Sequence, residues 1–181
     1  FSLEATVYAF NDSGSNEWSK AGIMVRDNLT AGSPHIFPMV RGSDAQYDTQ
    51  WRPVADGSSS DSGLKSDATG DVRLVRSGNT FQAYYMNNSG DWVLDTSQTI
   101  VMSDPVYVGL AVTSHENPNF AVGEYTDVNL TLHPFQVFKS FSTDEVNQGE
   151  SIDAVLTVEV REGQPSNITI KETYSPGANV S

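Results

Sequence analysis

The sequence contains no cysteine and few basic residues, and both shortages exclude classes of function. Without cysteine the chain has no thiol nucleophile, no iron–sulfur cluster, no zinc finger and no disulfide framework. Its 10 Lys and Arg against 23 Asp and Glu give a formal net charge of -13. Such a surface repels nucleic-acid phosphates and anionic membranes, so we expect no nucleic acid among the partners.

Long apolar runs are also missing. No run approaches the roughly 20 residues that a membrane-spanning helix needs, and we therefore expect no membrane insertion. The length of 181 residues fits one domain, or one domain with part of a second. Because the chain begins inside a segment with strand-like alternation, we expect it to belong to a larger protein whose neighbouring domains are among its partners.

Short segments in which apolar and polar residues alternate dominate the sequence. This alternation is typical of antiparallel strands that bury one face, and no segment of helical length carries a 3.6-residue stripe. The segments are 3–10, 18–26, 36–41, 45–52, 72–76, 81–86, 92–95, 106–113 and 121–132. We therefore predict an all-β fold, an antiparallel β-sandwich. The Ser- and Gly-rich connection 55–70 has the composition of a mobile linker, although connections of that length are also often functional.

A domain boundary is predicted at His133-Pro134, which divides the chain into residues 1–134 and 135–181. The second part holds three predicted strands, within 137–141, 151–160 and 167–173. Three strands are too few to close a core of their own. The first part therefore reads as a complete sandwich, and the second as a linker and a partial β module.

Four sequence strings in the first part carry a resemblance to a known family. They are AGIMVRD at 21–27, QWR at 50–52, VRLVRSGNTF at 72–81 and YVGLAVTSH at 107–115. In this order they resemble a concanavalin A-like (laminin G-like) jelly-roll module of large secreted microbial proteins, over about residues 1–133. The resemblance implies a jelly roll and an extracellular or cell-surface location. Relatives with assigned roles mostly bind carbohydrate, and some are catalytic domains of glycanases.

The tail carries a second resemblance. The segment 143–149, the alternating strand that follows it and the segment 170–177 are similar to the first strands of immunoglobulin-like repeats in bacterial and archaeal surface proteins. This implies that residues 135–181 form a partial immunoglobulin-like β module.

Catalytic residues are not indicated. Glycosidases use two carboxylates that meet in one cleft, and glucanases of this family place them in a Glu-x-Asp-x-x-Glu strand, a string that does not occur here. The three histidines are not accompanied by a nucleophile elbow. We therefore expect that the chain is not an enzyme.

A carbohydrate site needs an aromatic platform and planar polar side chains, and the segment around Trp51 supplies both types. Alternation places Trp51 on one face of its strand and Arg52 on the other, unless a bulge intervenes. Arg26 and Arg41 are predicted on a surface away from the core, where clustered arginines would favour a sugar with carboxylate or sulfate groups. The predicted carbohydrate-binding residues are Trp51, Arg26, Arg41, Arg52, Gln50 and His115. The alternative interpretation is that the arginines pair with aspartates and that Trp51 lies in the core.

Calcium is the metal that an acidic, cysteine-free chain would hold, because its ligands are oxygens. The turn 11–17 places Asp12, Asn16 and Glu17 around a glycine, and these three residues are the predicted ligands of a structural calcium ion. The turn 67–71 is a second candidate.

The leading functional prediction is a non-catalytic carbohydrate-binding module within a larger extracellular or cell-surface protein, with a glycan or polysaccharide as its partner. The second prediction is a structural or adhesive spacer domain of a surface-layer or adhesin protein. The spacer would show a filled or flat face on which Arg26, Arg41 and Arg52 are all ion-paired.

Overall fold

A computed structural model describes residues 1–12, 16–42, 46–117, 119–132, 135–141 and 154–160. The chain divides into two compact units, Phe1–Leu132 and His133–Ser181, and each is described by itself. The described residues include no helix that is long and apolar enough to span a bilayer.

Ten strands build the described part of the first unit. In chain order they are β1 (Ser2–Asp12), β2 (Lys20–Arg26), β3 (His35–Arg41), β4 (Gln46–Arg52), β5 (Ser60–Asp61), β6 (Ala68–Ser77), β7 (Thr80–Asn87), β8 (Trp92–Thr99), β9 (Tyr107–Thr113) and β10 (Ala121–Thr131). Nine of them lie where the alternation predicts a strand. The tenth, β5, has only two residues and lies in the Ser- and Gly-rich connection, where the sequence shows no alternation.

The ten strands form two five-stranded sheets. Sheet 1 has the order β10-β1-β6-β7-β8, and sheet 2 has the order β5-β4-β3-β2-β9. All of the strand pairs are antiparallel. The predicted all-β fold, an antiparallel β-sandwich, is confirmed.

The core lies between the inner faces of the two sheets. Alternate residues of β1, β6 and β7 on one side and of β2, β3 and β4 on the other are buried together. The rings of Tyr47 in sheet 2 and Tyr85 in sheet 1 lie 5.0 Å apart between their centroids. Buried aromatic pairs of this kind contribute about 0.5–1.5 kcal/mol beyond their area, so this contact helps to fix how the sheets stack.

The sandwich is partly open at the edge formed by β9 and β10. Leu110 on β9 is 47% exposed, although Ile23 opposite it on β2 is fully buried. Leu130 on β10 is 44% exposed, although Leu3 opposite it on β1 is 4% exposed. The described residues therefore leave the inner faces of both edge strands in partial contact with solvent.

The second unit contains two described strands, β11 (Phe135–Phe141) and β12 (Ala154–Val160), which pair antiparallel from Phe135 opposite Val160 to Phe141 opposite Ala154. β12 lies within the predicted segment 151–160, and β11 covers the predicted segment 137–141 and begins two residues earlier. The third predicted strand, at 167–173, lies outside the described residues. The immunoglobulin-like identity of this unit stays a prediction.

Candidate functional site

Four of the seven basic side chains in residues 1–132 lie on the outer face of sheet 2. Lys20 on β2 is opposite Arg41 on β3, and at the other end of the same strand pair Arg26 is opposite His35. Arg52 on β4 is opposite His35 as well. Side chains directly opposite each other share a face, so the acidic protein gathers most of this unit's positive charge on one surface.

At one end of this face, the Trp18 ring lies over the cationic side chains of Arg41 and Lys20. The guanidinium carbon of Arg41 lies 4.1 Å from the centroid of the Trp18 ring, and the Lys20 ammonium lies 5.8 Å from it. Arg41 also pairs with Asp48, with 2.9 Å between Nη1 and Oδ2. Trp18 remains 37% exposed. Trp18 therefore contacts two cationic side chains and is still partly exposed to solvent.

His115 completes this end of the face. Its ring centroid lies 6.2 Å from that of Trp18, at a tilt of 37°, and its backbone has a φ of 60°, an uncommon conformation for a non-glycine residue. We call Trp18, Lys20, Arg41 and His115 the Trp18 site.

A polar cleft of about 390 Å³ adjoins the Trp18 site at the β9–β10 connection. Its described lining offers hydroxyl, imidazole, carboxylate and amide groups, which suit a ligand with many hydroxyls. The lining residues are Thr113, Ser114, His115, Glu116, Asn117 and Asn119.

The turn before β2 holds Trp18 in position. The backbone N–H of Trp18 donates to Asn16 Oδ1 at 2.9 Å, and its indole N–H donates to Glu17 Oε1 at 3.1 Å. Asn16 and Glu17, two of the three predicted calcium ligands, therefore make contacts that orient the indole.

The calcium prediction itself receives no support from the described residues, which include no group of three or more His, Asp or Glu side chains placed to hold a metal ion. The side chain of Asp12, the third predicted ligand, lies outside the described residues. The calcium site stays a prediction.

Arg26 and Arg52 mark the opposite end of the outer face, and they bind backbone rather than carboxylates. Arg26 donates to the carbonyl oxygens of Asn28 at 3.2 Å and Thr30 at 2.6 Å. Arg52 donates to the carbonyl oxygen of Ala31 at 2.8 Å. Both guanidinium groups thus fasten the β2–β3 connection to the sheet.

His35 lies between these two arginines and is 5% exposed. Its Nδ1 donates to the carbonyl oxygen of Ser33 at 3.2 Å. Burial lowers the pKa of His35 to about 4, and the nearby Arg52 and Arg26 charges act in the same direction. The ring is therefore neutral at physiological pH, because burial disfavours its charged form and a third positive charge beside two guanidinium groups would be destabilising.

A second cleft, of about 220 Å³, lies along β2 and β9. Met24, Leu29 and Tyr107 line it together with Arg26. Gly109, opposite Met24, is part of its floor, and a Cβ at that position would meet nothing within 4 Å. The cleft is therefore largely apolar, with one guanidinium at its end.

The structure separates the predicted carbohydrate-binding residues. Arg41 and His115 meet in the Trp18 site, and Arg26 and Arg52 meet at the other end of the face. Those ends are about 20 Å apart, since each residue of a strand adds about 3.4 Å. Gln50 lies on the outer face opposite Phe37. Trp51 lies on the inner face opposite Ile36 and packs against the core, so it does not join the arginines.

Two residues of the site, Trp18 and Lys20, were not predicted from the sequence, which reads Trp18 as packing at the sandwich edge. Within the predicted strand 18–26 their spacing of two residues was an available signal, because alternate residues of a strand share a face. The contact between Trp18 and Arg41 could not be predicted from the sequence, because it depends on the pairing of β2 with β3, two strands that a long connection separates.

The comparisons assign no family. No protein-family model matches the chain, and no significantly similar protein is found among curated ones. The functional argument therefore depends on the geometry of the site.

Proposed function

We propose that this chain is a non-catalytic carbohydrate-binding module of a larger extracellular or cell-surface protein, built on a concanavalin A-like jelly roll. The sugar would bind on the outer face of sheet 2 at the Trp18 site. The observation that carries this proposal is the 37% exposure of Trp18 beside a cleft lined by hydroxyl, amide and imidazole groups. An aromatic surface next to convergent polar groups is the usual composition of a small-ligand site.

The Arg41 contact makes Trp18 suited to this role. A guanidinium stacked on an indole reduces the ring's freedom to move, and a ring that is already fixed loses less entropy when a ligand stacks on it. The hydrogen bonds to Asn16 and Glu17 act in the same direction.

The proposal is for binding and not for hydrolysis. Most glycosidases need a pair of carboxylates on either side of the bond that breaks, and the described lining of the polar cleft contains one, Glu116. Asp48, the other carboxylate near Trp18, is fully buried and paired with Arg41. It is therefore held away from the cleft.

A glycan array tests the proposal. The whole chain is applied to neutral and acidic polysaccharides, with and without calcium, alongside Trp18→Ala. We expect wild-type binding to at least one glycan class and a loss of at least tenfold in Trp18→Ala. For comparison, a nucleic-acid base stacked on an aromatic side chain contributes about 1–3 kcal/mol when measured by alanine substitution, and a tenfold loss corresponds to about 1.4 kcal/mol.

Trp92→Ala is the matched control. Trp92 also stacks on an arginine, Arg73, at 4.0 Å, but on sheet 1. Its replacement should leave glycan binding unchanged. Absence of binding to every glycan in both calcium conditions would overturn the proposal.

The spacer function remains the second candidate, and one observation favours it: Arg41 is ion-paired, as a filled structural face requires. Among the described residues, Arg26 and Arg52 bind backbone carbonyls instead of carboxylates. The face therefore meets the spacer criterion at one arginine of three. A wild-type chain that folds normally and binds no glycan would support the spacer.

A further inference from the structure

Lys20 is the basic residue of the Trp18 site that no carboxylate contacts. Its side chain is 5% exposed. Among the described residues its ammonium makes no hydrogen bond and no ion pair within 4.0 Å, and its nearest aromatic contact is the Trp18 ring at 5.8 Å. The ammonium nitrogen is not among the fully sealed polar atoms that lack a hydrogen-bond partner, so it still reaches solvent through a narrow opening. A mostly buried ammonium that no carboxylate contacts favours an anion at that opening.

The charges around Lys20 do not balance. Arg41, opposite Lys20 on β3, is paired with Asp48, which leaves the lysine as surplus positive charge. Burial and the Arg41 charge lower the pKa of Lys20, while the more distant charges of Asp48 and Asp61 partly offset them. An anion placed beside the ammonium would supply both the missing acceptor and the missing charge.

The ammonium lies where a ligand of the Trp18 site could reach it. Lys20 is directly opposite Thr113 on β9, and Thr113 lines the polar cleft together with His115. Trp18 therefore lies near the cleft and Lys20 at the same time.

We propose that Lys20 binds a carboxylate or sulfate group of the sugar, which makes the ligand an acidic polysaccharide. This inference rests on the proposed carbohydrate-binding function and names its ligand class. Lysine provides three hydrogen-bond donors and a compact charge, and charge-assisted hydrogen bonds are roughly twice as strong as neutral ones. Arg41 adds long-range attraction, although its charge is already paired with that of Asp48.

The experiment compares two probes of equal length, a trimer of galacturonic acid and a trimer of galactose, by titration calorimetry on the whole chain. We expect the wild type to bind the acidic trimer at least tenfold more tightly. Lys20→Met keeps the length and apolar stem of the side chain and removes its charge. It should bind both trimers with the affinity that the wild type shows for the neutral one.

Two further variants serve as controls. Lys20→Arg keeps the charge and should keep the preference for the acidic trimer, which guards against a folding defect in Lys20→Met. Arg73→Gln removes one positive charge from sheet 1 and should change neither affinity, so a general charge effect would be detected there.

The outcomes separate the inference from the proposed function. If the wild type binds both trimers equally, or if Lys20→Met retains the acidic preference, the inference is overturned and the binding function stands. If neither these trimers nor any glycan on the array binds, the proposed function fails and the inference fails with it.

Discussion

Arg41 contacts both the partly exposed Trp18 and the buried carboxylate of Asp48. Its guanidinium carbon lies 4.1 Å from the ring centroid, and its Nη1 lies 2.9 Å from Asp48 Oδ2. The Asp48 side chain is 0% exposed and that of Arg41 is 10% exposed. The ring is therefore supported by an ion pair that solvent screens little.

Replacement of Arg41 by methionine should destabilise the fold by about 3 kcal/mol, because it leaves a buried carboxylate without its partner. Adding Asp48→Asn should recover part of that loss, since the neutral amide is cheaper to bury. Chemical denaturation measures both free energies of unfolding. If the double variant lost as much stability as Arg41→Met, or lost the sum of the two single losses, that result would contradict coupling between Arg41 and Asp48.

Arg73→Met is the control for this prediction. Arg73 also pairs with a carboxylate, Glu4, and stacks on Trp92, but both partners of that ion pair are about 30% exposed. Exposed pairs contribute about 0–1 kcal/mol. The loss should therefore be much smaller than that in Arg41→Met.

His35 should make the protein less stable in acid. Its pKa is about 4 in the folded state against 6.5 ordinarily, so between these values the unfolded chain binds the proton more readily. The contribution is present above pH 6.5 and is lost as the pH falls towards 4. It amounts to about 3 kcal/mol.

Comparison with His35→Asn isolates this effect. The asparagine amide can replace the Nδ1 donor to Ser33 but does not titrate. Burial raises the pKa of Asp48, which opposes the His35 effect but is present in both proteins. The stability gap between wild type and variant, measured by denaturation from pH 7 to pH 4, should change by about 3 kcal/mol. A stability gap between the two proteins that stayed constant from pH 7 to pH 4 would refute the burial of a neutral imidazole at His35.

Gly22 and Gly109 should respond differently to alanine, although both lie on the outer face of sheet 2. A Cβ at Gly22 would collide with the carbonyl oxygen of Pro38 and would lie 2.6 Å from the Cα of Met39. These are backbone atoms, so Gly22→Ala should cost about 2 kcal/mol or more. Gly109→Ala meets nothing within 4 Å and should be neutral or slightly stabilising. Thermal unfolding distinguishes them, and equal melting temperatures would contradict the close β2–β3 approach.

Ser62 anchors the Ser- and Gly-rich connection to the sandwich. Its Oγ donates to Asp95 Oδ2 at 2.6 Å and accepts from the backbone N–H of Thr49 at 3.1 Å. The Asp95 side chain is 1% exposed. Ser62→Ala should therefore cost about 1–2 kcal/mol and increase proteolytic cleavage between residues 53 and 67. Ser59→Ala, at an exposed position of the same connection, should change neither quantity. Unchanged cleavage in Ser62→Ala would show that this anchor is dispensable.

The predicted faces of the side chains agree with the structure where the inference needs only one strand. Alternation places Trp51 and Arg52 on opposite faces, and the β3–β4 register shows them so. It does not show which face is inner, because that depends on the sheet stacked against it. Trp51 is therefore a plausible platform in the sequence and a core-packing residue in the structure.

The sequence by itself determined the all-β class, nine of the ten described strands of the first unit and the residues that share a face of each strand, because the two-residue period is a local property of an extended chain. Only the tertiary structure decided that Trp18, Lys20, Arg41 and His115 meet. These residues come from different strands and turns, and their approach depends on cross-strand register over long connections. Ile23, Ile36 and Tyr47 lie on those strands and pack together in the core, and register is strongly specified where one face of a sheet is buried.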